Sequence, residues 1–264
     1  LLCSTSYLVG AQPANKVTNQ ESQPPHPEKR DSDKAIQAYN QAIARMSNAT
    51  SKTLNVAAAA TNKAFDPRMA LILNERAALY LSKGNYAAAI SDLDWAILIN
   101  PSYTQAWLNR GISRYKTGDI DAAFTDLQRT IELDPANAAA HYFRGQIRLS
   151  INNTIGAFAD FEGALATNSQ FLPARLARGL LLREMEKYEQ AISDFSVYLQ
   201  AFPRSIEILN LRGNTLKDKG DYTAALEDFD RALRLQPDHA FTLTGRGDAR
   251  LASSDLVGAL ADYD

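Results

Sequence analysis

Residues 104–137 read TQAWLNRGISRYKTGDIDAAFTDLQRTIELDPAN, and residues 138–171 restate the pattern as AAAHYFRGQIRLSINNTIGAFADFEGALATNSQF. Laid over each other without a gap, they agree at Arg110 and Arg144, Gly111 and Gly145, Ala123 and Ala157, and Asp126 and Asp160. The interval is 34 residues, and it continues in both directions. Arg76, Arg110, Arg144, Arg178, Arg212 and Arg246 stand on it, and so do Asp92, Asp126, Asp160, Asp194, Asp228 and Asp262. A fixed period of this size marks a repeat architecture, in which each unit packs mainly on its neighbours.

Each unit reads as two helices. In residues 104–137 the first, helix A, is predicted from about Thr104 to Lys116. Gly118-Asp119 makes the turn, helix B runs from about Asp121 to Leu133, and Asp134-Pro135 ends it. Glycine permits positive φ at such a turn, and proline cannot continue a helix. Pro101, Pro135, Pro203 and Pro237 share one register, whereas Ser169 takes that place in the third unit, which predicts a looser exit there. The register gives units 70–103, 104–137, 138–171, 172–205, 206–239 and 240–264, the last stopping inside helix B. Gly111, Gly145, Gly179, Gly213 and Gly247 fall within helix A. There glycine costs about 1 kcal/mol against alanine, which is tolerable where two helices must approach closely. Ala89, Ala123, Ala157, Ala191, Ala225 and Ala259 make the same allowance on helix B.

These positions resemble the tetratricopeptide repeat. That family's pattern is a bulky residue early in helix A, a small residue four positions later, then an aromatic, with alanine, an aromatic, alanine and a terminal proline on helix B. Trp107, Gly111, Ala123, Leu127 and Pro135 follow it; so do Ala77, Tyr80, Ala89, Leu93, Ala96 and Pro101, and Gly213, Tyr222, Ala225, Phe229, Ala232 and Pro237. The resemblance covers residues 70–264 and implies an all-α fold, a right-handed superhelical solenoid of antiparallel helix pairs. His141 and Arg175 depart from it at the bulky position, and Thr130 and Tyr198 replace a helix B alanine, so the fourth unit is expected to pack less tightly.

Ahead of the array, residues 12–32 are polar and proline-rich and read as a disordered linker. Residues 33–46 carry Ala35, Ile36, Tyr39, Ala42 and Ile43 on one helical face, and residues 52–65 read as another helix stopped by Asp66-Pro67. Together residues 33–69 form a degenerate leading unit. Residues 1–11 resemble the back half of a truncated secretory signal peptide. Export to a periplasm or the extracellular space is the expectation, with a cytoplasmic location as the alternative. No stretch reaches the roughly 18 apolar residues of a membrane-spanning helix.

The composition narrows the function. With 28 Lys and Arg against 30 Asp and Glu, net charge is −2, so no basic surplus exists to neutralise nucleic-acid phosphates. Cys3 is the single cysteine, which excludes an intrachain disulfide. His26, His141 and His239 share no spacing suited to a metal, and His141 holds a packing position. Gly245-Arg246-Gly247 lies inside a helix without the strand that a phosphate loop requires. No catalytic residue, metal site or cofactor is therefore expected. The arginine and aspartate ladders admit two readings, a comb for an acidic ligand or a structural ion pair across each hairpin. Equal numbers in lockstep favour the second.

In the resembled family the A helices line a concave groove for peptides or partner helices. Transferred residue by residue, that groove would be lined by Leu108, Asn109, Ile112, Tyr115, Tyr142, Phe143, Gln146, Leu149, Leu176 and Leu180. Its ends would be polar, at Asn74, Glu75, Glu207, Asn210, Asn214 and Asp218. An apolar middle suits an apolar peptide or an amphipathic helix. The co-chaperones of this family grip acidic tails with a helix A lysine. That position holds Asn74, Leu108, Tyr142, Leu176, Asn210 and Thr244 here, so that specialisation is not expected. The sequence thus predicts a non-catalytic protein-interaction scaffold with a protein or peptide partner. Its alternative is the docking arm of an enzyme whose catalytic domain lies beyond residue 264. The partner's identity and the oligomeric state stay open.

Overall fold

The computed structural model describes residues 27–51 and 66–264. The signal-like start, the linker over residues 12–26 and the helix expected over 52–65 lie outside them. Thirteen helices follow one another among the described residues. A leading helix, α1 (Pro27–Ser51), precedes three hairpins: α2 (Pro67–Ser82) with α3 (Tyr86–Ile99), α4 (Thr104–Thr117) with α5 (Ile120–Leu133), and α6 (Ala138–Ser150) with α7 (Thr154–Thr167). Three more follow: α8 (Leu172–Glu184) with α9 (Tyr188–Ala201), α10 (Ile206–Lys219) with α11 (Tyr222–Leu235), and α12 (Ala240–Ala252) with α13 (Leu256–Tyr263). The fold is all-α, and α4 and α5 end within a residue of the predicted bounds. None of these helices is long and apolar enough to cross a membrane.

Two boundaries at the start differ from expectation. Helix α1 begins at Pro27, so residues 27–32 belong to a helix rather than to the linker. Proline is tolerated in a first turn, where its missing N–H has no helical partner anyway, and Glu28, Lys29 and Arg30 are good helix formers. Helix α2 starts at Pro67, three residues before the register put the array. Asp66-Pro67 opens this helix: an Asp66 carboxylate oxygen accepts the Arg68 backbone N–H at 2.9 Å, and Pro67 occupies the first turn.

All six hairpin turns place a left-handed residue at one register position. Gly84, Gly118 and Gly220 have φ of 72°, 85° and 91°, but Asn152, Glu186 and Ser254 adopt 59°, 57° and 70° without being glycine. The expected looseness at Ser169 is absent. The Phe171 N–H reaches the Asn168 carbonyl at 3.0 Å, as the Asn137 N–H reaches Asp134 at 3.1 Å. That turn is closed by the residues flanking the proline position, so serine serves as well.

The chain forms two compact units divided within α6, between Ile147 and Arg148. In the first, Ala77, Ala89, Leu93, Ala96, Ala123 and Leu127 are wholly buried, and Ile43 and Met46 of α1 pack against this core. In the second, the wholly buried side chains include Phe161, Phe195 and Phe229. The helical glycines here permit a close approach. A Cβ built on Gly179 would lie 2.8 Å from the Phe195 ring, and one on Gly213 would lie 2.9 Å from that of Phe229.

Candidate functional site

Arg76, Arg110, Arg178, Arg212 and Arg246 each hold two helices besides their own. Arg76, Arg110, Arg178 and Arg212 grip the aspartate sixteen residues on with two parallel N–H bonds, from Nε and Nη2, at 2.5–2.9 Å. Arg246 grips Asp262 in the same way. These carboxylates are buried between helices, and the fork geometry matches both oxygens. The Asp92 bonds hold Arg76 more firmly protonated than a free guanidinium, with burial opposing; Arg178 and Arg246 shift the same way against Asp194 and Asp262.

The third arm was not anticipated. Nη1 reaches sixteen residues back, to the B helix of the preceding hairpin: Arg110 to Asp94 at 2.6 Å, Arg144 to Gln128 at 2.5 Å, Arg178 to Glu162 at 2.8 Å, Arg212 to Ser196 at 2.8 Å, and Arg246 to Asp230 at 2.7 Å. Arg76 uses that arm on Asn40 of α1 at 2.5 Å. Gln128 is therefore half-buried against Arg144. Second arginines share several of the buried carboxylates, Arg114 on Asp126, Arg175 on Asp194 and Arg250 on Asp262, and Arg148 holds the buried Asp160. A guanidinium with its bonds directed at protein acceptors is a staple between repeats.

At the bulky position, Trp107 and the two departures from it share one bond. Trp107 donates its indole N–H to the Pro101 carbonyl at 2.8 Å, His141 Nε2 lies 3.0 Å from the Pro135 carbonyl, and Arg175 Nε donates to that of Ser169 at 2.8 Å. Each ties its helix to the loop six residues before it. The fourth unit does not lose packing through Arg175, because the guanidinium also reaches Asp194 at 3.0 Å. Thr130 is wholly buried at its alanine position by donating to the Asp126 carbonyl at 2.9 Å.

The residues transferred to the groove separate by burial. In the first unit Leu108, Asn109 and Gln146 are buried, so they are not part of an offered surface. Asn109 donates to Asn74 at 2.9 Å and accepts from Gln105 at 3.0 Å. Asn74 and Asn210, expected at polar ends of the groove, are buried as well. Ile112, Tyr115, Tyr142 and Phe143 are half-buried and present part of their surface. Phe143 meets Tyr115 edge-on at 5.8 Å between ring centroids and Tyr142 at 5.1 Å, and the Lys116 ammonium lies 5.9 Å from the Tyr115 ring. Burial raises both tyrosine hydroxyls above their ordinary pKa, with a Gln146 hydrogen bond working against it at Tyr142. In the second unit Leu149, Leu176 and Leu180 are half-buried, the last two packed on its core, and Arg183 bonds Asp218 at 2.6 Å.

Sequence reasoning missed the acceptors of the third arm. A signal existed: Asp94, Glu162 and Asp230 recur at every second repeat, with Gln128 and Ser196 between them.

Comparison with known proteins agrees with this geometry. Two family models, both described as tetratricopeptide repeat, match the chain, one over residues 74–127 and 108–173 and the other over residues 206–239. A search of curated proteins by sequence gave no match. Among solved structures, YrrB, described as a TPR protein with an unusual peptide-binding site, is 22% identical; the match covers 66% of this chain and 90% of that one, with a TM-score of 0.56. The C-terminal part of a TPR repeat-containing protein from Cytophaga hutchinsonii is 16% identical, covering 72% of this chain and 76% of its own, with a TM-score of 0.62. PilF of Pseudomonas aeruginosa is 17% identical over 74% of this chain and 89% of its own, with a TM-score of 0.61. At these identities the structures speak for the fold alone. With family models covering more than half of the residues, and one 34-residue period running through the sequence, the chain belongs to the tetratricopeptide repeat family.

Proposed function

We propose that the chain is a protein-interaction scaffold that performs no catalysis of its own. Its A-helix face in the first unit receives an apolar peptide or amphipathic helix of a partner protein. The observation that carries this reading is the cluster of Ile112, Tyr115, Tyr142 and Phe143 on α4 and α6, whose side chains stay partly uncovered while their neighbours Leu108 and Asn109 are buried. Aromatic side chains give large contact area at small entropic cost, and an apolar helix face seats on such a surface through anchors at helical spacing. Lys116 at its margin suits an acidic residue flanking the apolar anchors. The peptide-binding site of YrrB, a protein of the same fold, supports the reading by analogy.

Site-specific photo-crosslinking tests it. A probe replaces Tyr142 in one variant and Thr125, exposed on α5, in another. A discrete adduct from position 142 alone, followed by weaker binding of the crosslinked peptide to a Tyr142→Ala variant, is the expected result. Equal adducts at both positions, or a peptide that binds Tyr142→Ala unchanged, would refute it.

A further inference from the structure

The joint between α7 and α8 is built differently from its siblings. At the equivalent joints, two fixed B-helix positions carry Trp95 and Leu98, Arg129 and Glu132, Val197 and Gln200, or Arg231 and Arg234. On α7 they are Gly163 and Ala166. An open notch of about 500 Å³ stands beside them, lined by Glu162, Gly163, Leu165, Ala166, Arg175 and Arg178.

Two guanidiniums form one side of this notch, and their positions are fixed. Arg178 is held by Asp194 and Glu162, and Arg175 by Asp194 and the Ser169 carbonyl. Leu165 and the two small residues form an apolar floor, and Glu162, half exposed, stands at the rim. The first unit shows what this arrangement lacks. There the Trp107 ring covers the Arg110 guanidinium at 4.8 Å. Arg178 is the counterpart of Arg110, but Arg175 stands in the place of Trp107, so the matching ring is gone.

We propose that this notch receives an aromatic side chain, tryptophan or tyrosine, from a partner protein. The ring lies against the guanidinium of Arg178, an arrangement favoured by charge–quadrupole attraction and by the weak hydration of arginine. Its edge rests on Gly163, Leu165 and Ala166. The indole N–H or phenol O–H donates to the Glu162 carboxylate. Cationic wall, apolar floor and rim acceptor together select an aromatic residue with a polar edge over an aliphatic one. The notch shares no residue with the tyrosine cluster on α4 and α6, and the proposal stands apart from that one.

The test titrates N-acetyl-tryptophanamide into the isotopically labelled full chain and follows nuclear magnetic resonance shifts. Saturable shifts of the Gly163 and Ala166 amides and the Arg178 Nε–H, with millimolar affinity, are expected, and N-acetyl-leucinamide should give none. Gly163→Arg and Ala166→Glu install the side chains that stand at Arg129 and Glu132 in another repeat. Each should weaken the interaction about tenfold or more, equivalent to about 1.4 kcal/mol, while the melting temperature is kept. Tyr142→Ala should leave the shifts unchanged. Absence of saturable shifts, equal shifts from the leucine amide, or full affinity in both filled variants would overturn the proposal.

Discussion

Gly213→Ala adds one methyl group where two helices nearly touch. The new Cβ would lie 2.9 Å from Cε1 and 3.0 Å from Cζ of Phe229. Carbon atoms prefer about 3.5–4.0 Å, so the ring would have to withdraw by about 0.5–1 Å. It has nowhere to go. Gly245 of α12 crowds the same ring edge, where a Cβ would lie 2.8 Å from the same atom, and Phe229 is wholly buried. Overpacking costs about 1–3 kcal/mol, and a wholly buried ring crowded by two helices belongs in the upper half of that range. Alanine recovers about 1 kcal/mol of helix propensity, leaving a net loss of about 1–2 kcal/mol. Urea unfolding of the full chain, followed by far-UV circular dichroism, measures the loss. Amide exchange in α10 and α11 locates it, since a repeat array need not unfold in one step. The double variant Gly213→Ala/Phe229→Leu should cost less than the two single changes summed, because the smaller side chain gives the methyl room. A Gly213→Ala chain as stable as the parent, or strict additivity in the double variant, would refute the close-contact account of these glycines.

Other consequences are as direct. Glu186→Gly should raise stability by about 0.5–1 kcal/mol, because relief of the left-handed conformation outweighs the added freedom of the unfolded chain; a lower melting temperature would contradict this. Arg212→Ala leaves Asp228, 2% exposed, with Arg231 at 3.5 Å, and should destabilise by about 3 kcal/mol. Arg212→Lys should restore little in the same melting experiment, since an ammonium cannot supply two parallel N–H bonds. Tyr115 and Tyr142 have raised pKa values, so the stability they contribute is complete below the ordinary tyrosine value of 10.0 and is lost as pH rises through their higher folded values. Alkaline unfolding should therefore steepen above about pH 10, and Tyr142→Phe should flatten the curve; an unchanged profile would remove burial as the cause.

Helix pairs, turn positions and packing residues were legible in the sequence because each is a local preference repeated in register. Gly118 marks its turn, Asp134-Pro135 its exit, and Ala123 its contact. Legibility failed where several residue types satisfy one physical need. Trp107, His141 and Arg175 look dissimilar, yet each sets a ring or guanidinium nitrogen against the same loop carbonyl. Asn152, Glu186 and Ser254 occupy a conformation that sequence assigns to glycine. Burial on the A-helix face was also hidden. Family pattern places Leu108 and Tyr142 at one groove position, but only the neighbouring helix decides that Leu108 is covered and Tyr142 partly open. The α7–α8 notch arises from side chains that are missing, and absences at Gly163 and Ala166 acquire meaning only against their siblings.

The backward arm of each arginine donates to carboxylate, amide or hydroxyl oxygen alike, on Asp94, Gln128, Glu162, Ser196 or Asp230. Units built this way are interchangeable parts. A copying slip that inserts or removes one whole period, wherever it begins, still delivers an acceptor sixteen residues behind every guanidinium and a carboxylate sixteen ahead. A slip of one residue more or less severs one arm or the other where it falls. The staples therefore make the array easy to lengthen by whole units and unforgiving of any other change in length, a bias that would preserve the 34-residue spacing through successive duplications.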